Sequence, residues 1–173
     1  MKIELKINDI EYIAIPKEEF YECDADSKEN LPSYAIINGL KVDRENYTKN
    51  GKEYFTFDEA QEAVKSVGKR LWTKEEQEAI LELGVTWDTD KRGIWIGENH
   101  ELKKETSAST FLPASGWRNS ANGELFNQGV SGIYWSSTAS TGTGAWVLNF
   151  GSGGAGVGDS VRAPGFSVRC VSE

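Results

Sequence analysis

The chain has 173 residues, enough for one ordinary domain with a core and too few for two large ones. Its hydrophobic fraction of 38% and aromatic fraction of 11% are those of a globular protein. A net charge of −8 argues against nucleic acid or an anionic membrane as the main partner, because a phosphate-binding surface needs clustered Lys and Arg.

No run of 18 apolar residues occurs, so membrane insertion is not expected. The opening MKIELKINDIEYIAIP alternates apolar and polar residues and carries charges throughout, unlike the continuous apolar run of a secretory signal. Ile3, Leu5 and Ile7 alternate with Glu4 and Lys6, residues 12–15 are again strand-like, and Asn8-Asp9 suits a turn. Residues 2–15 therefore predict a hairpin. Residues 17–50 are polar and acidic, predicting irregular structure around one short strand, Tyr34-Ala35-Ile36-Ile37.

Two helices follow. Thr56-Phe57-Asp58-Glu59 is a capping box: the threonine oxygen accepts from a first-turn amide while the glutamate reaches back. Phe57, Ala60, Ala63, Val64 and Val67 form an apolar stripe, and Gly68 stands where the helix should end. Thr73-Lys74-Glu75-Glu76 repeats the device, with Ala79, Ile80 and Leu83 as the stripe and Gly84 as the stop. Both helices should pack on a sheet.

Beyond Trp87 the pattern changes to strands. Gly93-Ile94-Trp95-Ile96-Gly97 is a short strand bounded by glycines, and Phe111-Leu112-Pro113 steps into a turn-rich stretch over 115–127. Ile133-Tyr134-Trp135, Trp146-Val147-Leu148-Asn149-Phe150 and Phe166-Ser167-Val168-Arg169-Cys170-Val171 are the remaining strands. Helices early and strands late predict an α+β fold. Twelve of the 18 glycines lie between Gly116 and Gly165, and from Leu125 onward the charges are Asp159, Arg162, Arg169 and Glu173. Flanked by strands, this glycine predicts loops held on a scaffold rather than a linker.

Catalytic chemistry is scarce. The single histidine, His100, sits in the polar run Glu98-Asn99-His100-Glu101, which predicts an exposed loop residue. Gly151-Ser152-Gly153-Gly154-Ala155-Gly156-Val157-Gly158 lacks both the Gly-Lys-Ser/Thr ending and the following helix of a phosphate loop. Asp24, Asp26 and Glu29 hint at calcium, as do Asp88 and Asp90; the first set lacks the glycine at the sharp turn and the glutamate at position twelve of a helix–loop–helix site. Solvated carboxylates are the expectation, with no metal and no cofactor. In the last strand Phe166, Val168 and Cys170 share a face, which places Cys170 in the core; a bridge to Cys23 stays open if the chain ends meet. Trp72, Trp95 and Trp135 lie in apolar patterns and are expected inside, Trp146 with its ring inward, and Trp117 on either side.

The segments Phe57-Asp58-Glu59-Ala60 and Gly68-Lys69-Arg70-Leu71-Trp72-Thr73-Lys74-Glu75-Glu76 resemble the helix-and-turn segment of formylglycine-generating-enzyme-like C-type lectin folds, with Trp72 where that family has proline. Phe111-Leu112-Pro113-Ala114-Ser115-Gly116-Trp117-Arg118-Asn119, Tyr134-Trp135-Ser136-Ser137-Thr138 and Gly165-Phe166-Ser167-Val168-Arg169-Cys170-Val171 resemble the ending of the Fibrobacter major paralogous domain proteins. Many of those are variable proteins of diversity-generating retroelements. The resemblance covers residues 51–173 and implies a C-type lectin fold there, two helices on small antiparallel sheets with long loops. Residues 1–50 would form a separate hairpin and acidic segment. In variable proteins an error-prone reverse transcriptase rewrites adenines near the 3′ end of the coding DNA, and Asn-type codons so altered never give Lys, Glu, Gln, Met or Trp. Apart from Trp146, none of these five occurs between 139 and 164. The family's enzyme branch oxidises a cysteine with a cysteine pair; this chain has no such pair close in sequence, so no enzyme activity is expected.

Alternation would put Trp146, Leu148 and Phe150 inward and leave Ala145, Val147, Asn149 and Gly151 outward. The expected variable face, within 133–165, comprises Thr138, Ser140, Thr141, Thr143, Val147, Asn149, Gly151, Ala155, Val157, Asp159, Ser160, Val161 and Pro164. The resemblance implies a display protein that binds a protein or glycan receptor on a cell surface, such as a phage tail-fibre tip. It would be cytoplasmic before assembly and then on a virion or extracellular surface, with a homo-oligomer possible by family analogy. A non-diversified adhesion or structural domain of the same fold is the alternative.

Overall fold

The computed structural model describes residues 3–7, 10–14 and 31–173 of the chain. Its first compact unit ends at Leu31 and its second runs from Pro32 to Glu173. In the first, β1 (Ile3–Ile7) pairs antiparallel with β2 (Ile10–Ala14), the expected hairpin. Asn8-Asp9, Cys23 and the trio Asp24, Asp26 and Glu29 lie outside the described residues.

The second unit is mixed α+β. Its first hairpin, β3 (Tyr34–Ile37) and β4 (Leu40–Asp43), turns on Asn38 and Gly39, with φ of 51° and 78°. Both central residues are left-handed, which favours an Asn-Gly pair. β4 then pairs with β14 (Cys170–Ser172), and β14 with β5 (Arg70–Leu71), giving the sheet order β3-β4-β14-β5. Residues 34–43 therefore belong to the second unit, and the domain boundary expected at residue 50 moves to 31/32.

Helix α1 (Phe57–Ser66) and helix α2 (Lys74–Glu82) start on Thr56 and Thr73, each with a complete capping box. The Glu59 amide donates to Thr56 Oγ1 at 3.5 Å while the Glu59 carboxylate accepts from the Thr56 amide at 2.9 Å; Glu76 and Thr73 repeat the exchange at 3.2 and 2.8 Å. β6 (Val85–Asp88), β7 (Gly93–Gly97) and β8 (Ser109–Pro113) form a second sheet with β7 central and buried along its whole length. Short β9 (Trp117–Arg118) pairs with β10 (Leu125–Phe126), stacking Trp117 on Phe126.

The third sheet carries the C-terminal third: β11 (Ser131–Ala139), β12 (Gly144–Gly151) and β13 (Gly154–Val161), in that order. The glycine-rich segment read as loop is thus an eight-residue strand. Pairing with β12 at every position from Gly144↔Val161 to Gly151↔Gly154 supplies the backbone hydrogen bonds that side-chain propensity did not signal. The strand expected over 166–171 is shorter, because Phe166 and Ser167 make isolated bridges to Phe55 and Tyr134 and only Cys170 onward joins a ladder.

Two apolar clusters lie on opposite faces of β11–β12. One holds Tyr134, Leu148 and Phe150 with Trp72, Ile80, Ile94 and Ile96; the other holds Trp135, Ala145 and Val147 with Phe55, Phe57, Ala60, Val64, Phe166, Val168 and Cys170. Buried indoles are hydrogen-bonded: Trp72 Nε1 donates to the Trp135 carbonyl at 3.0 Å and Trp135 Nε1 to the Phe55 carbonyl at 2.6 Å. Burial of each such ring contributes about 2–3 kcal/mol. None of the described helices is long and apolar enough to cross a membrane.

Candidate functional site

Strand period divides the expected variable residues between two faces. Across the sheet the columns run Ile133↔Asn149↔Gly156 and Trp135↔Val147↔Gly158 on one face, and Tyr134↔Leu148↔Val157 on the other. Val147, Asn149, Gly151 and Ser160 therefore share the first face; Ala155, Val157, Asp159 and Val161 share the second with Trp146.

The first face carries a concavity. A groove of about 350 Å³ is lined by Ser131, Ile133, Val147, Asn149, Phe150, Asp159, Ser160 and Phe166. Its position follows from β13: Gly154, Gly156 and Gly158 present no side chains, so the sheet surface falls away beside the half-buried Ile133 and the exposed Asn149. The Asn149 amide leans over Gly158, where a Cβ would lie 3.4 Å from its Nδ2. Groove chemistry is an apolar floor with hydroxyl, amide and carboxylate groups at the rim, an arrangement suited to binding.

Val147 corrects the expectation. It is only 4% exposed, because α1 and the Phe166 segment cover the face that alternation had left outward. Ala145, at 0%, is covered likewise. Trp146, expected inside, is half-buried with Lys74 Nζ 4.3 Å from its ring centre. Both faces of β12 are thus covered along much of its length, and alternation cannot name a solvent side for a strand that lies between two cores.

The other expected residues scatter. Thr138 Oγ1 accepts from the Lys74 amide at 2.9 Å, tying β11 to the start of α2. Ser140 Oγ donates to Asp159 Oδ2 at 3.3 Å, and the exposed Thr141 and Thr143 flank them at the β11–β12 turn with Val161, 60% exposed. Ala155 packs on the Tyr134 core, Val157 faces α2, and Gly151 and Pro164 are half-buried. Sequence reasoning missed Ser131, Ile133 and Phe166 as groove walls. Ile133 lies in a strand that the sequence predicts, and its pairing with Asn149 brings it to the groove.

Side chains with chemistry elsewhere have structural work. His100 is half-buried in a single 3-10 turn rather than exposed: its Nδ1 lies 2.7 Å from Thr86 Oγ1 and its Nε2 3.1 Å from the Leu83 carbonyl. Gly84 (φ 92°) permits this, since a Cβ there would sit 2.7 Å from His100 Nε2. Asp88 is buried, and its carboxylate accepts from the Lys91, Trp95 and Asp90 N–H groups, which hold its pKa below the ordinary value. Those bonds close the β6–β7 turn. Cys170 carries a free thiol in the core, as its strand face predicted; burial, assisted by the Asp43 charge, pushes it up to about 11.

A family model described as a domain of unknown function (DUF8237) matches residues 88–171, from Asp88 through the groove strands into β14. Helices α1 and α2 precede the matched region. No curated protein matches the chain.

Proposed function

We propose that this chain is a ligand-binding display domain of C-type lectin architecture, non-enzymatic, whose groove and adjoining turn form a face diversified by a retroelement and used to recognise a protein or glycan receptor, as at the tip of a phage tail fibre. The observation that carries this reading is the division of labour along β12 and β13. Leu148 and Phe150 bury the sheet, while Asn149, Ser160, Asp159 and Thr143 contribute nothing to either apolar cluster. Such positions exchange side chains without altering the buried area that stabilises the fold. The present side chains are small, and interface hot spots favour Tyr, Trp and Arg, so this copy is a weak binder.

The test is a display library randomised at Thr143, Asn149, Asp159 and Ser160 and sorted first for folding, then against a panel of bacterial surface proteins and glycans. Most library members should fold, and binders should carry aromatic residues at Asn149 or Ser160. A library in which most members unfold would overturn the reading. A reverse transcriptase gene with an adenine-rich near-copy of the 3′ coding region beside this one would support diversification; a locus without both would favour a fixed adhesion domain.

A further inference from the structure

β13 is the edge of its sheet, with β12 its strand partner. The two-residue connection Ser152-Gly153 makes Gly151 and Gly154 the closing hydrogen-bonded pair, and antiparallel alternation then turns the N–H and C=O of Ala155, Val157, Asp159 and Val161 away from β12. The carbonyl of Gly144, opposite Val161, accordingly accepts on its other side from the Ser140 amide at 3.1 Å. Among the described residues no backbone hydrogen bond takes up the outward groups of β13. Exposed edges are normally blunted by bulges, Pro or Lys. This one pairs in continuous register for eight residues and carries neither Pro nor Lys.

We propose that this edge binds an extended segment of a partner protein by strand addition, with bulky apolar side chains on one face of the segment and Lys or Arg on the other. The proposal rests on the reading of the groove as a ligand face and specifies its ligand as a peptide. Unpaired main-chain groups at strand spacing are met by another extended backbone. On the groove face, a Cβ at Gly154 or Gly156 would meet nothing within 4 Å. Large side chains of an added strand can therefore lie across these glycines toward Ile133 and Asn149. On the opposite face Val157 shares a cleft of about 380 Å³ with Glu78, Leu81 and Glu82, and the exposed Asp159 lies two residues on. Lys74 answers Glu78 at 3.2 Å, which leaves Glu82 and Asp159 to attract a basic side chain. A second copy of the chain is disfavoured as occupant, since each carries a net charge of −8.

The test uses the full chain and a fluorescent eight-residue peptide of alternating tyrosine and lysine, blocked at both ends. Binding should weaken at least tenfold when alternate peptide nitrogens are methylated, and again when glutamate replaces lysine. Val157→Pro, which removes an outward N–H and no bond to β12, should have the same effect. Equal binding of the methylated peptide, as charge attraction alone would give, or no binding of the parent peptide would overturn the proposal. The methylated peptide acts on the unaltered protein, so the result stands even if Val157→Pro folds poorly. Peptide binding that persists while no library member selects a receptor would support strand addition and sink the ligand-face reading. Receptors selected through Asn149 by variants that ignore the peptide would do the reverse.

Discussion

The Arg169 guanidinium holds Asn46 Oδ1 from two of its nitrogens, Nε at 3.0 Å and Nη2 at 2.7 Å. Its other donors reach the carbonyls of Asp43, Arg44 and Phe111 at 2.6–2.9 Å, so a fully buried charge is solvated by main-chain and amide dipoles alone. Asn46 Nδ2 passes the connection to Tyr134 Oη at 3.0 Å, which donates to the Pro113 carbonyl at 3.0 Å. One side chain near the C-terminal strand thereby fastens the end of β4, β8 and the centre of β11.

Removing either partner leaves buried polar groups unpaired, at a cost of roughly 1–3 kcal/mol each. Asn46→Ala should lower stability by about 2–3 kcal/mol, and Arg169→Met by about 3 kcal/mol, since three carbonyls lose their donors. Arg169→Lys should rescue little, because a single ammonium cannot reach partners spread around a planar fork. Urea unfolding measures all three. A loss below about 1 kcal/mol for Asn46→Ala would mean that water replaces the amide.

Glycines of the third sheet should respond differently to a methyl group. At Gly132 an added Cβ would lie 2.2 Å from the Phe150 ring, inside the Tyr134 core; at Gly156 it would meet nothing within 4 Å. Gly132→Ala should therefore destabilise by about 2 kcal/mol through overpacking. Gly156→Ala should be neutral or slightly stabilising, because it restricts the unfolded chain without strain in the strand. Equal losses at the two positions, by thermal melting, would contradict the packing described.

Local signals were the legible part of this fold. Thr56 and Thr73 announced their helices because a capping box is written within four residues, and Cys170 was placed by the face it shares with Phe166 and Val168. What the sequence hid depends on partners distant along the chain. Val147 looks solvent-facing until α1 covers it, and β13 looks like loop until β12 pairs with it. His100 sits in a polar run, yet the carbonyl that holds it comes from Leu83 at the end of α2. The Asn38-Gly39 turn is the exception, a local hairpin signal set amid polar residues.

Acid should weaken the fold through three carboxylates whose folded-state pKa values are depressed. Glu76 is held by the Arg70 guanidinium, with two contacts of 2.8 Å; Glu59 by Lys52; and Asp88 by the Lys91 amide and the Trp95 indole. Each binds protons more readily in the unfolded chain, so its stabilisation is complete above the ordinary carboxylate range and is lost as pH falls through the lower folded-state values. Stability should be level above about pH 5 and decline below it. Asp88→Asn should be less stable at neutral pH and show a shallower acid limb. Wild-type and Asp88→Asn curves that run parallel from pH 7 to pH 3 would remove Asp88 from this account.

The separation between packed and exposed positions is sharpest at two residues on one face of β12. Val147, 4% exposed, lies among Phe57, Trp135 and Phe166, whereas Asn149 on the same face stands at the groove rim. Val147→Ala removes two buried methyl groups and should cost about 2 kcal/mol. Replacing Thr143, Asn149, Asp159 and Ser160 together, for example by Ser, Thr, Asn and Ala, should shift the melting temperature by only a few degrees, since surface changes of this kind fall within about 0.5 kcal/mol each. Ser140 keeps the Gly144 carbonyl through its main-chain amide, so loss of its side-chain contact with Asp159 leaves the turn closed. If the fourfold variant melted as early as Val147→Ala or earlier, the rim would be holding the sheet together, and a face free to change its chemistry could not be located there.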